Sequence, residues 1–293
     1  MKSLDVKWLY LIVLSIIWGS SFILIKKALL GLSPFQLGSL RSIFTGLILF
    51  SAGFSSLKHI PKSKWKWLAL SGFLGSFFPA YFFAIAETEI DSAIASILNS
   101  LVPLNTILIG FILFQISSTR RQILGVLVGF IGTAVLILRG SDLNPNQNYL
   151  FAGFVIASTL MYATNTNIIK KHLQDVKPLA IATANYVFII VPAFIILVWD
   201  GFFTKATLNN PNLEMALVYV LILSVFGTAL AKILYNKLVQ LSTPVFASSV
   251  TYMMPLVALG WGLLDGERFG VLQGGATLLI LFGIYLSHRR KKK

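Results

Sequence analysis

The chain has 293 residues, of which 56% are hydrophobic and only 12% charged, and its mean hydropathy is +0.82. A soluble domain carries about 25% charged residues, so this composition points to a membrane protein and away from a nucleic-acid partner, despite a net charge of +14. With no cysteine there is neither a disulfide framework nor a thiolate metal site.

Ten apolar stretches follow in order, at about 7–26, 33–55, 65–86, 92–114, 122–138, 149–169, 179–199, 213–236, 243–264 and 270–287. Most have the ~17–25 residues needed to cross hydrocarbon as a helix. In lipid the backbone must satisfy its own hydrogen bonds, which predicts helices. The ten-residue alternation of a barrel is missing. The first stretch is too long and, around Trp18 to Ser21, too polar for a cleaved signal peptide.

The basic residues are distributed unevenly. Lys2, Lys7, Lys58, Lys62, Lys64, Lys66, Arg120, Arg121, Lys170, Lys171, Lys177, Lys237 and the basic tail at 289–293 fall on the side of the two termini. Lys26, Lys27, Arg139, Lys205 and Arg268 fall on the other. This bias predicts that both termini are cytoplasmic and that the tail meets anionic lipid. Trp8, Trp65, Trp67, Trp199 and Trp261 fall at stretch ends, as an aromatic belt does. Trp18 falls in mid-helix.

The sequence also repeats itself. At an offset of 144, Lys26-Lys27 matches Lys170-Lys171, Pro34 matches Pro178, Trp18 falls on Tyr162 and Arg41 on Asn185. At an offset of 152, Gly75-Ser76 matches Gly227-Thr228, Ala95-Ser96 matches Ala247-Ser248, and Pro103 matches Pro255. Five helices per half is an odd number, so the second half enters the membrane upside down. The expected fold is an all-α membrane protein of ten transmembrane helices in two inverted five-helix repeats. The repeats are expected at 1–139 and 149–293, the second carrying the basic tail.

Polar residues inside helices mark candidate sites, because lipid-facing polar groups are costly. Ser224, Thr228, Lys232, Tyr235 and Asn236 share one helical face. Asn99 lies on a polar stripe of the fourth helix, Tyr162 and Asn165 on one of the sixth. Thr251 and Tyr252 lie on the ninth, and Trp18 on the first. Such stripes are either interhelical hydrogen bonds or the wall of a wet cavity. Arg41 lies about 12 Å into the membrane from Ser33, at 1.5 Å per residue. Arg41 and Lys232 either line that cavity or extend to the nearer interface. Pro103 and Pro255 are read as paired hinges or as static kinks. Gly125, Gly129 and Gly132 permit close helix packing, with a homodimer surface as one use of it. Glu87, Glu89 and Asp91 are expected to form a solvated loop. No deep carboxylate opposes the two cations, and no motif for catalysis or metal binding is present.

The stretches WGSSFILIKKAL (18–29), SPFQLGSLR (33–41), SAIASILNSLVPLNTILIG (92–110) and STPVFASSVTYMMPLVALGWGLLDGE (242–267) resemble the ten-helix EamA-type members of the drug/metabolite transporter superfamily. The resemblance spans nearly the whole chain. It implies a secondary transporter of the inner membrane that exports small metabolites by alternating access, through a cavity between the halves, without enzymatic activity or cofactor.

The expected cargo is an amino acid or a similar zwitterion or anion. Trp18, Tyr162, Tyr235 and Tyr252 would form aromatic walls, and Asn99, Asn165, Thr228 and Thr251 would orient the cargo. Lys232, with Arg41, would attract its anionic group. A phosphorylated sugar or lipid carrier is the alternative cargo. An intramembrane lipid-modifying enzyme is the alternative activity, and a non-transporting scaffold a further one.

Overall fold

The computed structural model describes residues 3–115, 119–143 and 146–288. The expected lipid contact of the tail at 289–293, and Lys2, lie outside them. The long helical segments are α1 (Ser3–Ala28), α2 (Pro34–Gly53), α3 (Lys62–Ala86), α4 (Ser92–Phe114), α5 (Arg120–Leu143), α6 (Ala152–His172), α7 (Pro178–Trp199), α8 (Leu213–Leu241), α9 (Pro244–Leu264) and α10 (Val271–His288). Seven of the described segments are long and apolar enough to cross a membrane: α1 to α4 and α7 to α9. The apolar parts of α5 and α10 are shorter, Ile123–Leu136 and Val271–Gly283.

Helix starts follow local rules. Ser33 caps α2 in a reciprocal box with Gln36, and Pro34 occupies the first turn, where no amide donor is needed. Thr243 caps α9 ahead of Pro244 by accepting from the Phe246 amide, without the reciprocal bond. Phe111, Ile112, Leu113, Val191, Ile195 and Leu221 are exposed large apolar side chains on the outside of the bundle, as a chain solvated by acyl tails requires.

The segment ends gather in two caps. At one, Gln36 of α2 donates to the Asp200 carbonyl after α7 (3.1 Å), and Asn210 before α8 donates to Gly31 after α1 (3.3 Å). At the other, Lys64 pairs with Asp175 (2.7 Å), and Lys170 donates to the Ser242 carbonyl (2.6 Å). Consecutive segments therefore run in alternating directions.

The glycines of α5 are consumed inside the chain. A Cβ on Gly283 of α10 would meet the Gly125 carbonyl oxygen and the Gly129 nitrogen, each at 2.6 Å. One on Gly132 would meet Ile280 at 2.9 Å. The glycine face is therefore filled by α10 and is not a free surface for a second copy.

Four irregularities recur in register. π-helical segments occupy Phe73–Phe77 in α3 and Leu223–Leu230 in α8, and adding 152 to the first range lands inside the second. α4 is interrupted at Ser100 and Leu101, and α9 passes through a 3-10 turn at Ser249–Tyr252 and a turn residue at Met253; adding 152 to the first break gives 252–253, where the second one ends. Pro103 and Pro255 each sit in the first turn of the helix that resumes. The break thus precedes the proline, which withholds no hydrogen bond where it stands. This differs from the mid-helix kink read from the sequence.

Candidate functional site

A cavity of about 120 Å³ lies among α1, α2, α3, α4, α6, α7, α8 and α9. Trp18, Arg41, Asn99, Tyr162, Asn165, Thr228, Lys232, Tyr235 and Thr251 all line it. Of the ten residues expected to contact the cargo, Tyr252 is the one that does not; it packs against the apolar core. Its side chain follows Thr251 within the 3-10 turn, where successive residues are rotated by about 120° rather than 100°. Helical spacing therefore misplaces it.

The π-helical segments build the polar part of the wall. A π turn takes an extra residue and disturbs the regular ladder, leaving carbonyls to find other donors. Trp18 Nε1 donates to the Gly227 carbonyl at 2.9 Å. Gly75 holds the corresponding place in α3, and its carbonyl faces Lys232 Nζ at 3.4 Å. A Cβ on Gly75 would meet Asn165 Nδ2 at 2.4 Å, so any larger residue there would displace the Asn165 amide.

The two cations point inward. Lys232 is buried, with Nζ 2.5 Å from Ser76 Oγ. The Asn185 amide, turned with its oxygen toward Lys232, accepts from Nζ at 3.1 Å while its nitrogen donates to the Leu68 and Ile181 carbonyls. Arg41 Nε donates to Thr228 Oγ1 at 2.8 Å. Neither cation extends to an interface, and among the described residues neither forms an ion pair.

Aromatic rings close the sides. Trp18 and Tyr235 lie 5.2 Å apart, and Tyr162 stacks near Phe83 at 6.1 Å. The Tyr235 hydroxyl is held by Thr166 at 2.7 Å, and Asn165 Oδ1 accepts from Ser71 at 2.7 Å. These bonds orient the side chains before any cargo arrives.

Ser76, Tyr186 and Ser42 also line the cavity without having been singled out as site residues. Ser76 had a signal in the Gly75-Ser76 repeat pair. Tyr186 sits in an apolar run and had none.

Toward the end where α1 finishes, ion pairs tie the wall shut. Lys26 Nζ lies 3.0 Å from Asp265 and 2.9 Å from Glu267, and Lys27 pairs with Asp265. Glu267 further accepts from Ser92 N (3.2 Å), Ser92 Oγ (2.6 Å) and Ala93 N (3.1 Å) at the start of α4. Glu87 is buried beside this network, with neither carboxylate oxygen hydrogen-bonded among the described residues. This corrects the solvated position expected for Glu87; Thr88 beside it stays exposed, and Glu89 and Asp91 are half-buried.

The EamA-like transporter family model matches residues 6–138 and 150–289. The protein PecM of Dickeya dadantii is 26% identical, over 94% of this chain and 92% of its own length. A probable amino-acid metabolite efflux pump of Salmonella typhimurium is 24% identical, over 93% and 91%. A crystal structure at 16% identity aligns with a TM-score of 0.65 over 98% of this chain and 96% of the other, a likeness of fold.

Proposed function

Because the chain belongs to the EamA-like transporter family, and is thus a multi-pass membrane transporter, we propose that its central cavity holds the cargo. The cargo is a small zwitterionic or anionic metabolite, of the kind an amino-acid exporter carries. The carrying observation is that Lys232 and Arg41 both face the cavity and find only neutral partners there.

The proposal includes ten membrane crossings in two inverted repeats, 1–139 and 149–293, with both termini in the cytoplasm of a cell whose inner membrane houses the protein. The recurring π segments and helix breaks support the repeat, as does a family match in two parts. Alternating access would swing the half-helices that resume at Pro103 and Pro255, each freed by an interrupted ladder just before it. Export is the direction we assign, by analogy with the efflux relative.

Reconstitution into liposomes tests this reading. Lys232→Ala and Lys232→Gln should insert normally and lose at least tenfold in initial transport rate. Both variants moving cargo at the wild-type rate would overturn the role of the charge.

A further inference from the structure

The cavity is unusual in its charge balance. Among the described residues its charged lining residues are Arg41 and Lys232, and no aspartate or glutamate lines it. Arg41 uses Nε for Thr228, and its two terminal nitrogens have no acceptor among the described residues. That leaves the flat edge of the guanidinium, the edge that grips a carboxylate or phosphate with two parallel bonds. Lys232 is surrounded by dipoles only: a serine hydroxyl, an asparagine oxygen and, at the longer 3.4 Å, the Gly75 carbonyl. The last contact is the one an arriving anion would replace most readily.

The cations come from different halves and reach across. Arg41 on α2 holds a hydroxyl of α8, and Lys232 on α8 holds a hydroxyl of α3. Each is thereby fixed in direction, so two separate anion positions are built into the wall. A cargo with one carboxylate leaves one cation uncompensated in a low-dielectric space. A cationic cargo adds a third positive charge. The space is small, since a cavity of about 150 Å³ holds a benzene-sized guest.

Resting on the reading of this cavity as the cargo site, we infer that the preferred cargo is a small dianion, one anionic group on Arg41 and the other on Lys232. Its two anionic groups are joined by one to three methylenes, and the second anionic group is a carboxylate or a phosphate-like group.

Binding to the purified full chain in detergent tests it, read by calorimetry and by the thermal unfolding midpoint. Succinate and glutarate are the dicarboxylate probes, succinamate and glutaramate their mono-amides, phosphonoacetate the phosphate-like probe, and leucine the zwitterion. A dicarboxylate or phosphonoacetate should bind at least tenfold tighter than the mono-amides and leucine, and which of the two leads identifies the second group. In Arg41→Gln and in Lys232→Gln the advantage over the mono-amide should fall below about twofold. The wild-type comparison alone decides the point if a variant fails to fold. If leucine binds more tightly than every dianion, the inference is wrong while the cargo site stands. If no probe binds and liposomes show no transport, the cargo site falls with it.

Discussion

Ser76 and Thr228 stand 152 residues apart in the chain, within the two π-helical segments, and each hydroxyl meets a cation from the opposite half. The hydroxyls are repeated; the cations are not. Arg41 has Asn185 as its counterpart, and Lys232 has Ala80. Two halves of similar backbone thus carry their charges on different helices, α2 in one and α8 in the other.

Removing either hydroxyl should release its cation. A hydrogen bond to a charged group contributes about 1.5–3 kcal/mol, and part of that remains available through the cavity. Thr228→Val is expected to raise the KM for cargo about tenfold, with the unfolding midpoint within a few degrees of the wild type. Ser76→Ala should act in the same direction on Lys232. Unchanged KM in both variants would show that the hydroxyls do not orient the cations.

The ion-pair cluster of Lys26, Lys27, Asp265 and Glu267 should govern access at its end of the molecule. Glu267→Gln weakens the pairing to Lys26 and the grip on the start of α4. The chain has no cysteine, so a single Ser21→Cys on the cavity wall reports exposure without background. With Glu267→Gln added, its reaction with a membrane-impermeant maleimide should quicken about fivefold from that side. An unchanged rate would mean that the cluster is not what closes this end.

Glu87 should cost the protein stability as pH rises above the ordinary glutamate range. Burial, and then the nearby Glu267 carboxylate, hold its carboxyl well above the usual range, against the pull of Arg41 and Lys26. The folded chain therefore keeps a proton that the unfolded chain releases. That contribution is lost as pH rises from the ordinary glutamate range through the raised value. Glu87→Gln should flatten this part of the pH profile and raise the midpoint above it by a few degrees. Asp265 has the opposite sign. Its hydrogen bond to Lys27 leads in holding it below the usual range, so its contribution is present above that range and fades on acidification. Midpoints measured across pH for Glu87→Gln and Asp265→Asn separate the two.

Gly283→Ala should force α5 and α10 apart, because its Cβ would meet backbone on the other helix, which cannot rotate away. Overpacking of this sort costs about 1–3 kcal/mol. Gly275→Ala, with nothing within 4 Å of the added carbon, is the control and should leave the midpoint in place.

The helical stretches were legible because lipid allows the backbone few options, and nine of the proposed site residues were legible because a polar side chain in an apolar run needs a reason. The π segments were not. An extra residue in a turn changes no composition, and only the Gly75-Ser76 and Gly227-Thr228 pairs hinted at it. Glu87 escaped because its burial depends on loops and helices distant in sequence. Tyr252 was misplaced by assuming 100° per residue through a segment that turns faster.

The unmatched pair of charges also bears on the empty carrier. Sealing the cavity around Arg41 and Lys232 with nothing between them removes two cations from water, at several kcal/mol per ion. An anion inside offsets much of that cost. The loaded form should therefore cross between its two open states faster than the empty one, and cargo waiting on the far side should hasten the return. Exchange of labelled for unlabelled cargo would then outpace net release from the same liposomes, giving the protein the kinetics of an antiporter even where no second solute is required.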